Sequence, residues 1–354
     1  MTRTPIPTRL IPDYELYELC QVLANEQYQP TAIHVLYFLL QPIIQHSVQR
    51  AEDIGPALRR AHGDSIQVMT FGEVPTLAQL DSEKKEVVEK VWGVAMLWTY
   101  EPENSGSRGR FWISSETRIV PASSSSSTHA SEKDDGHWQP DNQSIHLLQT
   151  MCDTFFRPFL AKQQRNGSPS SIFFHGTNQC WTPTLATSGR KTYDGLCTKA
   201  ARVVSLVGGS AEEVVCPKGF RIRPLQEKDI QIVIDSNKIK FPPEYVRSRQ
   251  YLSVAIVNSE TDELASWAMT HADCALHTAS SYRRLGLGSL VVSELADVVR
   301  THLAANALTS GLLRNGTFRM HAECEAYNSV TMQWFCGLGY EKVVDNTWVM
   351  IEFQ

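Results

Sequence analysis

The chain has 354 residues, 42% of them hydrophobic and 20% charged, with a formal net charge of −5. That length predicts about two domains, and the apolar fraction excludes a disordered or collagen-like chain. The slightly acidic balance offers no electrostatic footprint for nucleic acid.

Met1 to Pro12 holds two arginines and three prolines and lacks an apolar h-region, so no signal peptide is expected. Tyr14 to Asn25 places Leu16, Leu19, Cys20 and Leu23 at i, i+3, i+4 and i+7, which predicts an amphipathic helix. Ala32 to Leu40 is a nearly continuous apolar run, either strand or buried helix. The stretch to Ile44 is shorter than the roughly 20 residues needed to span a bilayer. No membrane contact is expected, and a cytoplasmic location is the default. Val91 to Trp98 and Gly109 to Val120 read as strands, Ser144 to Leu160 as helix and Ser171 to His175 as a short strand. Pro121 to Asp141 combines a Ser run, a charge cluster and Pro140, and reads as a disordered insertion. Thr187 to Ala211 is a weak region of Gly, Ser, Thr and basic residues. A domain boundary is expected between it and Lys218.

The second half alternates more clearly. Strands are expected at Gly219 to Arg223, Tyr251 to Asn258, Leu264 to Thr270 and Cys274 to Ala279. Helices follow at Asp229 to Asn237, after Pro242-Pro243, and at Gly286 to Leu303. Phe318 to Ala326 reads as strand, Ser329 to Gly337 as helix, and Glu341 to Phe353 as one or two strands.

Eight cysteines stand at 20, 152, 180, 197, 216, 274, 324 and 336. No two lie within four residues, so zinc-type spacing is absent and no metal is expected. They read as mostly buried thiols in a reducing compartment.

One segment carries chemistry. Ser281-Tyr282-Arg283-Arg284-Leu285-Gly286-Leu287-Gly288-Ser289 lies between a predicted strand and a long predicted helix, and contains R-x-x-G-x-G. Glycine lets the backbone adopt costly dihedrals and approach a ligand. The first N–H groups of a helix, at its positive dipole end, suit a pyrophosphate. Arg283 and Arg284 add charge-assisted donors. Neither a Walker A loop nor G-x-G-x-x-G is present. The plain alternative is a helix start with solvated charges.

In context this segment resembles the acyl-CoA pyrophosphate loop of the GNAT acyltransferase superfamily. Leu276-His277-Thr278 precedes it, the helix from Ser289 to Leu303 follows it, and the strand Met320 to Ala326 leads to Asn328 and a helix ending in Gly337-Leu338-Gly339-Tyr340. The resemblance covers Gly219 to Phe353. A narrower likeness, to the glycine N-acyltransferase group, lies in Trp267, in Thr278-x-x-x-Tyr282-Arg283, and in a first half whose Leu16 to Leu40 reads as helix then apolar strand.

The resemblance implies an α/β (α+β) GNAT fold, a mixed, mostly antiparallel sheet flanked by helices, in two tandem GNAT-like domains. Residues 1–205 would be a degenerate domain with the insertion 121–141, and 218–354 the acyl-CoA-binding catalytic domain. It implies transfer of an acetyl or longer acyl group from acyl-CoA to the amine of a small molecule or amino acid. The implied cofactor-binding residues are Thr278, Ala279, Arg283, Arg284, Leu285, Gly286, Leu287, Gly288, Ser289 and Asn328. A free backbone N–H near Thr278 or Ala279 would polarise the thioester carbonyl. The pantetheine would run between Leu276 to Ala279 and Met320 to Ala326.

The general base is open between two residues. His321, Glu323 and Glu325 alternate onto one strand face, either catalytic or solvated. The family's Glu aligns at Ala272, beside Asp273. Glu323 and Asp273 are both carried as catalytic candidates, with His271 and His277 behind them. A family Tyr that protonates the leaving thiolate is replaced by Phe335, beside Trp334. Asn328 is expected to cap a helix, to meet the pantetheine, or both. Trp98, Phe111, Trp112, His175 and Trp181 are candidate lining residues, with core packing as their plain role. Two other functions remain open: a GNAT acetyltransferase of protein lysines or N-termini, and a non-catalytic acyl-CoA-binding module. The oligomeric state is not expressed in the sequence.

Overall fold

In the computed structural model the described residues are 5–80, 90–99, 106–118, 138–164, 171–205, 215–238, 240–271, 273–313 and 316–353. The chain forms two compact units that do not follow one another in sequence. The first comprises 1–43, 48–201 and 323–354, and the second 44–47 and 202–322. The C-terminal segment 323–354, expected with the second domain, thus belongs to the first unit.

The first unit is built from strands β1 (Thr8–Leu10), β2 (Gln67–Phe71), β3 (Gly93–Thr99), β4 (Ser107–Ile113), β5 (Ser171–Asn178) and β6 (Arg190–Ser205). Its helices are α1 (Leu16–Leu23), α2 (Gln29–Gln45), α3 (Ile54–His62), α4 (Leu77–Leu80), α5 (Asn142–Met151), α6 (Arg157–Gln164) and α7 (Thr182–Ser188). The second unit follows with β7 (Phe220–Arg223), α8 (Ile230–Ser236), α9 (Pro243–Arg247), β8 (Ser253–Asn258), β9 (Leu264–His271), β10 (Asp273–Thr278), α10 (Leu287–Ala305) and α11 (Ala307–Leu312). Then come β11 (Thr317–Glu325), α12 (Ser329–Gly337) and β12 (Glu341–Glu352).

Among the described residues, one sheet runs β1-β2-β3-β4-β5-β12-β6-β11 and a four-stranded sheet runs β10-β9-β8-β7. The last strand is therefore inserted between β5 and β6, antiparallel to both. This pairing explains β6. Thr187 to Ala211 was expected to be weak because its composition carries few strand formers. Pairing of Arg190–Ala201 against Glu352–Glu341 makes most of it a strand, tertiary context overriding propensity.

A second correction falls on Leu16 to Leu40. The resemblance implied helix then strand, but the apolar run is helix α2. The run continues to Gln45, longer than a strand, and the helix is buried nearly all round, including Val35, Leu36, Leu39 and Ile43. Elsewhere the expected elements are present within a few residues, except that the strand expected at Gly109 to Val120 stops at Ile113, where Ser114–Arg118 turn as a 3₁₀ helix that lets Glu116 reach back to the Ile113 N–H. Ser144 to Leu160 is α5 and α6 joined by a π-helical turn, Cys152–Phe156. Most of the expected insertion, 121–137 of 121–141, lies outside the described residues. Its end is placed: the Trp138 ring meets Trp181 at 5.7 Å, and Asp141 caps α5 by accepting from the Ser144 N–H. Among the described residues Cys20, Cys152 and Cys197 are buried free thiols, and burial pushes the first two up to about 12.

In the first unit, Phe111, Phe156, Phe174, Leu148, Trp181 and Val349 share one core. In the second, α8 and α9 cover Val257, Trp267 and Met269. The Trp267 indole N–H donates to Ser236 Oγ at 3.1 Å. Arg223 makes a buried bidentate pair with Asp229, at 2.5 and 3.0 Å.

A buried acid closes the turn after β4. Glu116 accepts from the Ile113 N–H at 3.2 Å, the Trp181 indole N–H at 2.9 Å and the Asn178 amide at 3.4 Å. Burial outweighs these bonds and the attraction of Lys199, and pushes its carboxyl from 4.5 up to about 7. Between those two values the folded chain holds a proton that the unfolded chain has lost. Stability therefore falls as pH rises through this window, by about 3 kcal/mol in full. Urea unfolding at pH 5 and pH 8 is expected to show that loss in the wild type, and Glu116→Gln is expected to remove most of it.

Candidate functional site

The R-x-x-G-x-G segment is where the sequence places it, in the second unit between β10 and the 19-residue helix α10. After β10 a short turn, Ser280–Tyr282, redirects the chain. The Tyr282 hydroxyl donates to Glu263 at 2.7 Å, tying that turn to the end of the β8–β9 loop. Arg283 Nε donates to the Thr278 carbonyl at 3.2 Å. Arg284 adopts φ +65° and Gly286 φ +78°, two left-handed residues that bend the chain into the helix. No side chain caps α10, and its first turn carries no acid. Arg283, Arg284, Leu285 and Gly286 are exposed, whereas Leu287 and Leu290 are buried and anchor the helix. Exposed cations thus surround the positive end of a long helix dipole. The geometry suits an anion larger than a single carboxylate.

The strand before the loop narrows the choice of oxyanion donor. Of Thr278 and Ala279, the Ala279 N–H is taken, donating to Ala265 O at 2.9 Å. Antiparallel pairing alternates donors between the two sides of a strand. With Ala279 turned toward β9, the Thr278 N–H turns toward the open side of β10, the edge of its sheet. The Thr278 hydroxyl is held by Ser266 Oγ at 2.9 Å. His277 lies against Trp267, and burial together with the Arg283 cation lowers its pKa. Among the described residues β10 ends its four-stranded sheet.

The two candidate bases differ in setting. Asp273 is the first residue of β10, opposite His271. The side chains of 271–274 lie outside the described residues. Glu323 belongs to the first unit, and its side chain is 2% exposed. Its Oε1 accepts from Asn346 Nδ2 at 2.5 Å and lies 3.4 Å from Lys199 Nζ, and its Oε2 accepts from the Trp348 indole N–H at 2.8 Å. Its strand face is therefore not a solvated one: His321 is buried and Glu325 half-buried.

Asn328 also belongs to the first unit. Its side chain caps α12, accepting from the Thr331 N–H at 3.1 Å. Phe335 is buried, with its ring 5.0 Å from Tyr340 and 4.9 Å from Trp334. Trp98, Phe111, Trp112 and Trp181 are buried as well, and the Trp112 and Trp181 N–H groups bond Thr31 and Glu116. Sequence reading missed two buried cations of the first unit, Arg110 and Lys199. Among the described residues, no His/Cys/Asp/Glu group could hold a metal ion, and no helix is long and apolar enough to cross a membrane.

No family model and no curated protein matches the chain. Solved structures do. A Drosophila protein is 15% identical, with 98% of this chain and 99% of that one covered at a TM-score of 0.57. A GCN5-related N-acetyltransferase from Sphaerobacter thermophilus is 9% identical, with 98% and 95% covered at 0.50. The chain has the GNAT fold. A mixed sheet and an antiparallel one, with their helices, carry it over nearly the whole length. A tandem GNAT protein from the clavulanic acid biosynthesis pathway is also similar, 11% identical with 98% and 97% covered at 0.46.

The turn into α10 makes a conformational prediction. A Cβ at Gly286 would meet nothing within 4 Å, yet φ is +78° there. Gly286→Ala is therefore strained without being crowded, and is expected to cost about 1–2 kcal/mol in urea unfolding.

Proposed function

We propose that the chain is an acyl-CoA-dependent N-acyltransferase, passing an acetyl or longer acyl group to the amine of a small molecule or amino acid. The observation that carries this reading is the uncapped start of α10, with left-handed Gly286 and exposed Arg283 and Arg284 beside it. The GNAT fold supports it. The narrower likeness to glycine N-acyltransferases rests on Trp267, Thr278, Tyr282 and Arg283. In this proposal 218–354 is the acyl-CoA-binding domain and 1–205 its degenerate GNAT-like partner.

The residues then divide the work. Backbone N–H groups from Leu285 to Ser289 hold the pyrophosphate, and Arg283 and Arg284 supply charge. Thr278 and Ala279 flank the thioester, with the Thr278 N–H as donor to its carbonyl oxygen. Asn328 fixes the start of α12. Asp273 or Glu323 takes the proton of the attacking ammonium, directly or through water. Phe335 has no proton to give, so the thiol leaves as thiolate, which a pKa near that of free cysteine allows. Placing amine and thioester together supplies much of the rate.

A second reading has an observation in its favour. Glu323 already serves Asn346, Trp348 and Lys199, and Phe335 stands where many GNAT enzymes carry Tyr. A non-catalytic acyl-CoA-binding module would show both.

Thermal unfolding with acetyl-CoA and longer acyl-CoAs tests the shared part. Ligand at about 100 times its Kd is expected to stabilise the wild type by about 2.7 kcal/mol and to leave Gly286→Glu unshifted. No shift with any acyl-CoA in the wild type would remove both readings. Asp273→Asn and Glu323→Gln then separate them: in an enzyme, loss of the true base abolishes turnover and spares acyl-CoA binding. Binding without turnover on any amine would favour the module.

A further inference from the structure

The peptide between His277 and Thr278 is held from behind. Ala279 bonds across to Ala265, so the next bonded pair in phase is His277 with Trp267. The His277 carbonyl therefore faces β9. Across a planar trans peptide the Thr278 N–H points the opposite way, to the open side of β10.

Ser266 of β9 sits on the covered side of this peptide. It is buried and stands opposite Thr278 in the ladder. Its hydroxyl donates to the His277 carbonyl at 3.0 Å. That uses its one hydrogen, so in the 2.9 Å contact with Thr278 Oγ1 the donor is Thr278. The two hydroxyls thus form a short chain that ends on the carbonyl of the peptide whose N–H faces outward.

Strand side chains ordinarily stand perpendicular to the sheet, away from a neighbour's backbone. Strand β9 is irregular here. Ile256 opposes Ser266 and Val257 opposes Leu264, which leaves Ala265 as a bulge. A bulge re-aims side chains and is common beside active sites. On the open side, Arg283 Nε donates to the Thr278 carbonyl at 3.2 Å and secures the following peptide.

A hydrogen bond to a peptide carbonyl polarises the amide and strengthens donation by its N–H. We propose that Ser266 is a positioning residue for acyl transfer, fixing and polarising this peptide so that the Thr278 N–H meets the thioester oxygen. The inference rests on the acyl-CoA reading above. As the amine nitrogen bonds to the thioester carbon, the carbonyl π pair moves onto oxygen, where the Thr278 N–H receives it. Return of that pair breaks the C–S bond and releases the CoA thiolate, while the amine proton goes to the base.

Infrared difference spectra of the full-length protein with acetyl-CoA, isotope-labelled at the thioester carbonyl, test this without an acceptor amine. The carbonyl band is expected at lower frequency on the wild type than in buffer. Ser266→Ala is expected to bind acetyl-CoA with unchanged affinity and to lose most of that shift. Ser266→Thr keeps the hydroxyl and is expected to retain it. An unshifted band on the wild type overturns the proposal, and so does an equal shift in Ser266→Ala, whatever its affinity. Should Ser266→Ala fail to fold, an equal shift in Ser266→Cys, whose S–H is a weak donor, overturns it. Failure of the wild type to bind acetyl-CoA removes the acyl-CoA reading and this inference together. Binding with an equal shift in the variant removes the role of Ser266 alone.

Discussion

One desolvated carboxylate gathers much of the first unit. Glu323, on β11, holds Lys199 of β6 and both Asn346 and Trp348 of β12, and presses on Gly176 of β5. A carboxylate buried to this degree must have its charge and both oxygens answered. The side chains that answer it lie on strands far apart in sequence, so the pairing fixes their register as well as their charge. Gly176 is part of the same arrangement, because a side chain there would run into the carboxylate. The local consequence is exclusive: what Glu323 gives to Lys199 it does not give to Arg110.

Much of the second unit was legible because its signals are local. The β8–β9 hairpin alternates around a polar loop, and Gly286 marks the one place where the chain needs a left-handed turn into α10. What stayed hidden was set at long range. β6 is a strand because β12, about 150 residues later, pairs with it. The apolar run in α2 satisfied either period, and only its full length and all-round burial decide for helix. Arg110 sits in Gly109-Arg110-Phe111-Trp112, where a lone charge in a strand reads as outward-facing. Its burial depends on β4 lying inside the sheet, between β3 and β5. The choice between Thr278 and Ala279 for the free N–H was open for a similar reason, since strand phase, not sequence, decides which alternate residue points outward.

Two cationic places in the chain use opposite physics. At α10 the donors are backbone N–H groups at a helix end, exposed and backed by solvated arginines. Attraction there is long in range and screened by salt. At Arg110 the cation is already desolvated, so most of the cost of ordering it has been met during folding. Interactions there are short in range and selective for shape.

The insertion of β12 also bears on how the protein is made. Residues 341–352 are synthesised after everything they pair with, yet they lie inside the larger sheet. Until they leave the ribosome, β5 and β6 each present a bare edge, the kind of surface that recruits stray strands. The first unit cannot be completed in the order of its synthesis, because its last piece is held back until the second unit has emerged. Its assembly is thus tied to contacts of very high sequence separation, which slow folding. Nascent chains of this protein are expected to depend on protection of those edges from the emergence of β5 until β12 has followed it.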